Sequence, residues 1–144
     1  MGLILRLLVA AGLAADAYVH WAFAPDMAFV QGGAIGGDAL FRVQAAVAAA
    51  VAVLVLVRAA RWTYALAFVV AASAVGALVL YYYADLGALG PLPDMHEPVW
   101  YAEKTVSLVG EGVAALAALA GFFVAGRKGG ASDEVPAAEP AGRV

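Results

Sequence analysis

The chain has 144 residues, of which 65% are hydrophobic and only 13% charged, and its mean hydropathy is +0.90. Soluble chains carry about 25% charged residues, and a domain this small has too little interior to hide so much apolar surface. An ordinary soluble fold is excluded and the bilayer is the natural solvent. A net charge of -3 with eight Lys and Arg leaves no basic face for a phosphate backbone, which sets nucleic acid aside as a partner. The absence of cysteine removes disulfides, thiolate nucleophiles and thiol-relay redox chemistry.

Crossing the hydrocarbon core takes about 20 mostly apolar residues, and four runs meet that length, over 3–24, 39–57, 62–84 and 98–125. They are continuous and rich in Ala, Leu and Val rather than alternating, so they read as helices and not as barrel strands. The first run could be taken for a cleaved signal peptide, with Arg6 as its base and "ADA" at 15–17 as its cut site. Because apolar and aromatic residues continue through "YVHWAFA", four spans are preferred over three.

The first link, "PDMAFVQGGAIGGD", is long and acidic. Its "GGAIGG" at 32–37 lacks the Lys and the strand-turn-helix setting of a phosphate loop and reads as a flexible loop. The second link, "RAAR", is short enough to force antiparallel neighbours. The third, "DLGALGPLPDMHEP", repeats the "PDM" of the first, an echo better taken as chance than as an internal repeat. In "HEPVW" that follows, Glu97 is expected to cap the fourth helix and Pro98 to take its first position.

Both longer links lack Lys and Arg, whereas Arg6, "RAAR" and the tail with Arg127, Lys128 and Arg143 are basic. The positive-inside rule then places both termini in the cytoplasm and the two Gly/Pro-containing loops outside. Residues 126–144 combine Gly, Pro and charge with few large apolar side chains and are expected to form a disordered tail. The expected fold is an all-α integral membrane four-helix bundle occupying 1–125.

Polar residues inside the spans are the functional clue. At about 1.5 Å rise per residue, Asp16 lies about 12 Å and His20 about 6 Å inside the outer end of the first span, on one helix face. Arg42 and Gln44 fall at the same level on the second span, Glu103 and Lys104 on the fourth, and Tyr81, Tyr82, Tyr83 and Asp85 close the third. A charge deep in a span costs about 2.5–3.5 kcal/mol on insertion scales, so such groups face inward and pair. Asp16 is expected to pair with Arg42 or Lys104, and Glu103 with the remaining base.

Along the fourth span Lys104, Ser107 and Glu111 form one polar stripe, continued outward by Tyr101. Glu111 sits too deep for Arg42 and is the acid hardest to pair. It is expected either to be neutral and hydrogen-bonded, for example to Ser73, or to bind a ligand or carry a proton. Trp21, Tyr81 to Tyr83, Trp100 and Tyr101 read as interfacial anchors. His20, His96, Glu97 and Asp16 are the plausible metal-ligand set, but they show no ligand spacing within either segment, so no metal is expected and a structural role for the histidines is preferred. Small-residue stretches at 65–77 and 110–121 allow close helix approach, within the bundle or against another membrane protein.

In size, in "RAAR", in "GDALFRVQAAVAAAVAVLVL" leading into it and in its outer loops, the chain resembles the small four-span bacterial membrane proteins of the DoxX-like type. The resemblance implies a link to quinone-coupled electron transfer or to a redox-protective membrane complex, and carries over no catalytic residue. Abundant Ala, Gly and Val, with Arg in excess of Lys, point to a GC-rich bacterium and so to its inner membrane. Three functions follow in order of preference. The first is a non-catalytic membrane subunit or scaffold, without a cofactor, whose polar layer specifies helix pairing. The second is a quinone or small-ligand site between Asp16, His20, Tyr82, Lys104 and Glu111. The third is a homo-oligomeric proton-coupled transporter using Glu111.

Overall fold

The computed structural model describes residues 2–130. Four helices account for most of them: α1 (Gly2–Phe23), α2 (Gly37–Val57), α3 (Arg61–Tyr83) and α4 (Ala102–Gly130). A 3-10 turn at Asp26–Phe29 follows α1, and an isolated bridge between Leu89 and Leu92 is the one strand-like pairing among the described residues. All four helices are long and apolar enough to cross a membrane. Their bounds follow the hydropathy runs closely for α1 to α3. Helix continues through 126–130, where the tail was expected to begin, and 131–144, the rest of that expected tail, lie outside the described residues.

The fourth helix departs from expectation at its start. It begins at Ala102, and Pro98 does not take the first helical position. The preceding segment is held extended against the end of α3: the Glu97 amide donates to Tyr81 O at 3.1 Å and His96 Nδ1 lies 2.9 Å from the same oxygen. Lys104 Nζ then donates to Glu97 O and Val99 O, at 2.8 and 2.7 Å. Main-chain groups that a helix from Pro98 would have used are thus committed to α3 and to Lys104. Proline also disfavours a helical conformation at the residue before it.

Around the bundle the order is α2, α1, α4, α3, because α1 packs extensively on α2 and α4, α4 on α3, and α2 only sparingly on α3. Small residues set these distances. Gly12 of α1 lies directly on the backbone of α4 at Gly110 and Ala114, and Gly121 of α4 lies on the ring of Tyr64. At the short link, Thr63 Oγ1 sits 2.7 Å from both Arg58 O and Ala60 O and accepts from the Ala60 amide, so one buried hydroxyl ties the turn to α3. Arg6 Nε donates to Val55 O at the end of α2, satisfying a carbonyl that has no partner in its own helix.

The packed core occupies one half of the bundle, the half nearest the short link. It contains Val9, Leu13, Val51, Val55, Tyr64, Ala67, Ala114 and Ala118, all buried. Outward faces carry exposed Leu7, Val53, Val69, Leu116 and Phe123, the surface a lipid-facing helix needs. At the opposite end the two long loops interlock: the Ile35 amide donates to Pro91 O at 2.9 Å, and Gly33 lies so close to Pro91 and Leu92 that a Cβ would stand 2.5 Å from their main chain. Part of the "GGAIGG" segment is therefore glycine for close approach.

Candidate functional site

The half of the bundle without a packed core holds a cavity of about 640 Å3, bordered by all four helices and by the segment before α4. It lies where α2 and α3 stand apart, and Ser73 and Ala77 of α3 are exposed along it. Its walls are mostly apolar, from Val19, Phe23, Leu40, Phe41, Leu78 and Met95, and its polar groups are concentrated at the floor and at the mouth. Volume and lining are typical of sites for small organic ligands, which occupy about 300–1,000 Å3.

At the floor, where the cavity meets the packed core, three ionisable side chains converge. Potential ligand atoms of Asp16, His20 and Glu111 all lie within 4.8 Å of one another. Asp16 is fully buried and Glu111 is 1% exposed. Gln44 Nε2 donates to Asp16 Oδ2 at 2.9 Å. His20 Nδ1 touches Asp16 Oδ1 and lies 3.0 Å from the main-chain oxygen of Asp16, to which its N–H can donate. The ring stacks obliquely on Phe41 at 4.8 Å. Both carboxyl oxygens of Glu111 have no hydrogen-bond partner among the described residues, and Asp16 Oδ1 meets only the His20 imidazole.

Helix register explains how the two acids meet. Asp16 lies seven residues before the end of α1, about 10 Å, and Glu111 nine residues after the start of α4, about 14 Å, at the rise of an α-helix. Starting the fourth helix at Pro98 puts Glu111 about 6 Å too deep for this encounter. The close approach of α1 and α4 where Gly12, one turn from Asp16, meets Gly110, next to Glu111, then brings the two carboxyls together.

The bases expected to neutralise this layer are engaged elsewhere. Arg42 is exposed and pairs with Asp38 on its own helix at 3.3 Å, outside the cavity lining. Lys104 pairs with Glu97 at 3.4 Å and lies over the rings of Tyr101 and Tyr82. Neither reaches Asp16. Exposed Glu103 lines the mouth, in the first turn of α4, and it makes no ion pair among the described residues. Ser107 is buried in the cavity wall between Lys104 and Glu111. Ser73 hydrogen-bonds Val70 O at 2.9 Å and leaves Glu111 without the partner suggested for it.

Tyr82, expected at the site, lines the cavity and packs edge-on against Trp100. At the mouth Tyr101 donates to Glu97 Oε2 at 3.2 Å. Burial, followed by the charge and hydrogen bond of Glu97, pushes its phenol up to about 12. Sequence reasoning left Phe41, Tyr81 and Met95 out of the site; they carry no charge signal, and only the tertiary arrangement shows that they face the cavity. No family model matches the chain, and neither a curated protein nor a solved structure matches it.

Proposed function

We propose that this chain is a multi-pass membrane protein that binds a small amphipathic molecule, of the quinone or lipid-like class, in the cavity between its four helices. The observation that carries this reading is the division of the bundle. One half is packed with Val, Leu and Ala, while the other is a cavity of about 640 Å3 with apolar walls and hydrogen-bonding groups at its floor and mouth. A purely structural polar layer would turn its bases inward to its acids. Here Arg42 and Lys104 serve acids at the rim, and the floor keeps carboxyl oxygens without partners.

The weak packing of α2 on α3 supports entry from the side, where a molecule dissolved in the bilayer arrives with its apolar body already desolvated. Basic residues at the opposite end support an inner membrane orientation with the cavity on the outer side and both termini in the cytoplasm. The DoxX-like layout favours a redox-linked ligand. The test is gentle extraction into nanodiscs followed by mass spectrometry of bound small molecules, with Ala74→Phe as the companion variant because Ala74 lines the cavity. A stoichiometric ligand lost in Ala74→Phe is the expected result. A wild-type protein that carries no ligand and takes up no added ubiquinone or menaquinone analogue refutes the reading.

A further inference from the structure

We propose that Asp16, His20 and Glu111 form a binding site for a divalent transition-metal cation at the floor of the cavity. The proposal goes beyond ligand binding and does not rest on it, because the cation would be held by helix side chains whether or not the cavity above is filled.

Three observations support it. First, the donor set is complete: two carboxylates and one imidazole, with ligand atoms within 4.8 Å of one another. Three protein ligands of N and O type, with further positions open to water, are the pattern of a reactive or exchangeable site, in which such a metal is held at about 2.0–2.2 Å. Second, the acids are 0% and 1% exposed, both Glu111 oxygens have no hydrogen-bond partner among the described residues, and Asp16 Oδ1 meets only the His20 imidazole. Buried carboxylates are normally paired or metal-bound, and here the nearest bases on α2 and α4 are committed to Asp38 and Glu97. A divalent cation supplies the two missing positive charges at one point. Third, the remaining oxygen, Asp16 Oδ2, accepts from Gln44, the outer-shell hydrogen bond that orients a metal-binding carboxylate.

The donors also define the class of ion. Imidazole and carboxylate without thiolate suit Zn2+, Mn2+ or Fe2+ and disfavour Cu+. The single imidazole distinguishes the site from the all-oxygen cages used for Ca2+. Access runs through the cavity, which His20 and Glu111 both line.

The experiment uses the full chain in nanodiscs, stripped with EDTA and titrated with Zn2+ by calorimetry, with Co2+ absorption as a second probe. One Zn2+ per chain is expected. Glu111→Gln and His20→Gln each remove a ligand and are expected to weaken binding more than about 100-fold, beyond the 10–100-fold typical of outer-shell changes. Gln44→Leu falls within that smaller range.

Thermal unfolding separates this from a structural role. Glu111→Gln removes a buried, unpartnered carboxyl, so in EDTA its Tm is expected to equal or exceed that of wild type, while the rise in Tm on adding Zn2+ disappears. If Glu111→Gln does not fold, His20→Gln, whose side chain is partly exposed, carries the same test. Absence of saturable one-to-one Zn2+ binding overturns the proposal, as does binding unchanged in both ligand variants. Because the readout is the metal and not an organic ligand, failure here leaves the cavity reading to its own test.

Discussion

The contact between α1 and α4 holds the two acids together, and three glycines allow its energetics to be measured. A Cβ added at Gly12 would stand 2.9 Å from Ala114 Cβ and 3.1 Å from Ala114 N, and closer still to Gly110 O. Carbon atoms pack best at about 3.5–4.0 Å, so Gly12→Ala forces the helices apart by roughly 1 Å. Overpacking of this kind costs about 1–3 kcal/mol, offset by the about 0.5–1 kcal/mol that Ala gains over Gly within a helix. The expected net loss is about 0–2.5 kcal/mol on those two figures.

Gly110→Ala meets its nearest atoms, Ala15 Cβ and Gly12 O, at 3.3 Å. A shift of a few tenths of an ångström suffices, and the two terms nearly cancel. Gly112 has nothing within 4 Å, so Gly112→Ala should raise stability by about 0.5–1 kcal/mol through helix propensity alone. Reversible unfolding in mixed micelles, followed by circular dichroism, ranks the three. Since Gly12 lies one turn from Asp16, Gly12→Ala should also weaken whatever the Asp16–Glu111 pair binds. Equal stability of Gly12→Ala and Gly112→Ala would show that α1 and α4 do not approach at this point.

Two further expectations concern the polar groups. Gln44→Leu removes the hydrogen bond to Asp16 Oδ2, leaving that carboxylate only the His20 contact at Oδ1 among the described residues, and should destabilise the protein by about 1–3 kcal/mol, the cost of leaving a buried acceptor unsatisfied; equilibrium unfolding against wild type measures it. The Tyr101 phenol, raised to about 12 in the fold against about 10 when unfolded, contributes stability that is full below pH about 10 and is lost as pH rises through about 12. The difference in stability between wild type and Tyr101→Phe should therefore be flat up to pH about 10 and change above it, and the wild-type minus variant phenolate spectrum should titrate near 12.

The helices were legible because hydropathy is a property of long windows, which tolerates local error. Runs of Ala, Val and Leu bounded by "APD", "GGD" and "RAAR" locate α1, α2 and α3 with little else needed. The site was legible in its members and less so in its pairings. His20, Gln44, Tyr82, Lys104, Ser107 and Glu111 all line the cavity and Asp16 lies buried against His20 and Glu111, since an intramembrane polar residue is costly wherever it points and so identifies itself by composition. Partners, by contrast, depend on register to within one turn. The non-helical segment through Pro98, held by hydrogen bonds from His96 and the Glu97 amide to Tyr81 O of α3, shifts the start of α4 by four residues and moves Glu111 to the level of Asp16. No local propensity contains that information, because the bonds responsible are tertiary. Arg42 was misplaced for a related reason: at i, i+4 from Asp38 it has a partner on its own helix, a nearer solution than crossing to α1.

The distribution of charge bears on why the bundle is packed in one half only. A four-helix bundle this rich in Ala could close along its whole length by small-residue packing, as α1 and α4 do around Gly12. Above Asp16 and Glu111 it does not close: α3 presents Ser73 and Ala77 to open space while α2 presents Leu40, Phe41 and Gln44 across it. Large side chains at 74 and 77 would fill the gap and add dispersion contacts. Two buried acids at the boundary make a filled gap unfavourable, since they would lose access to any compensating group from outside the chain. The open half and the unpartnered carboxyls are thus one feature. On the proposed reading the space would admit the group that neutralises the acids, and the acids would mark how deep it must reach.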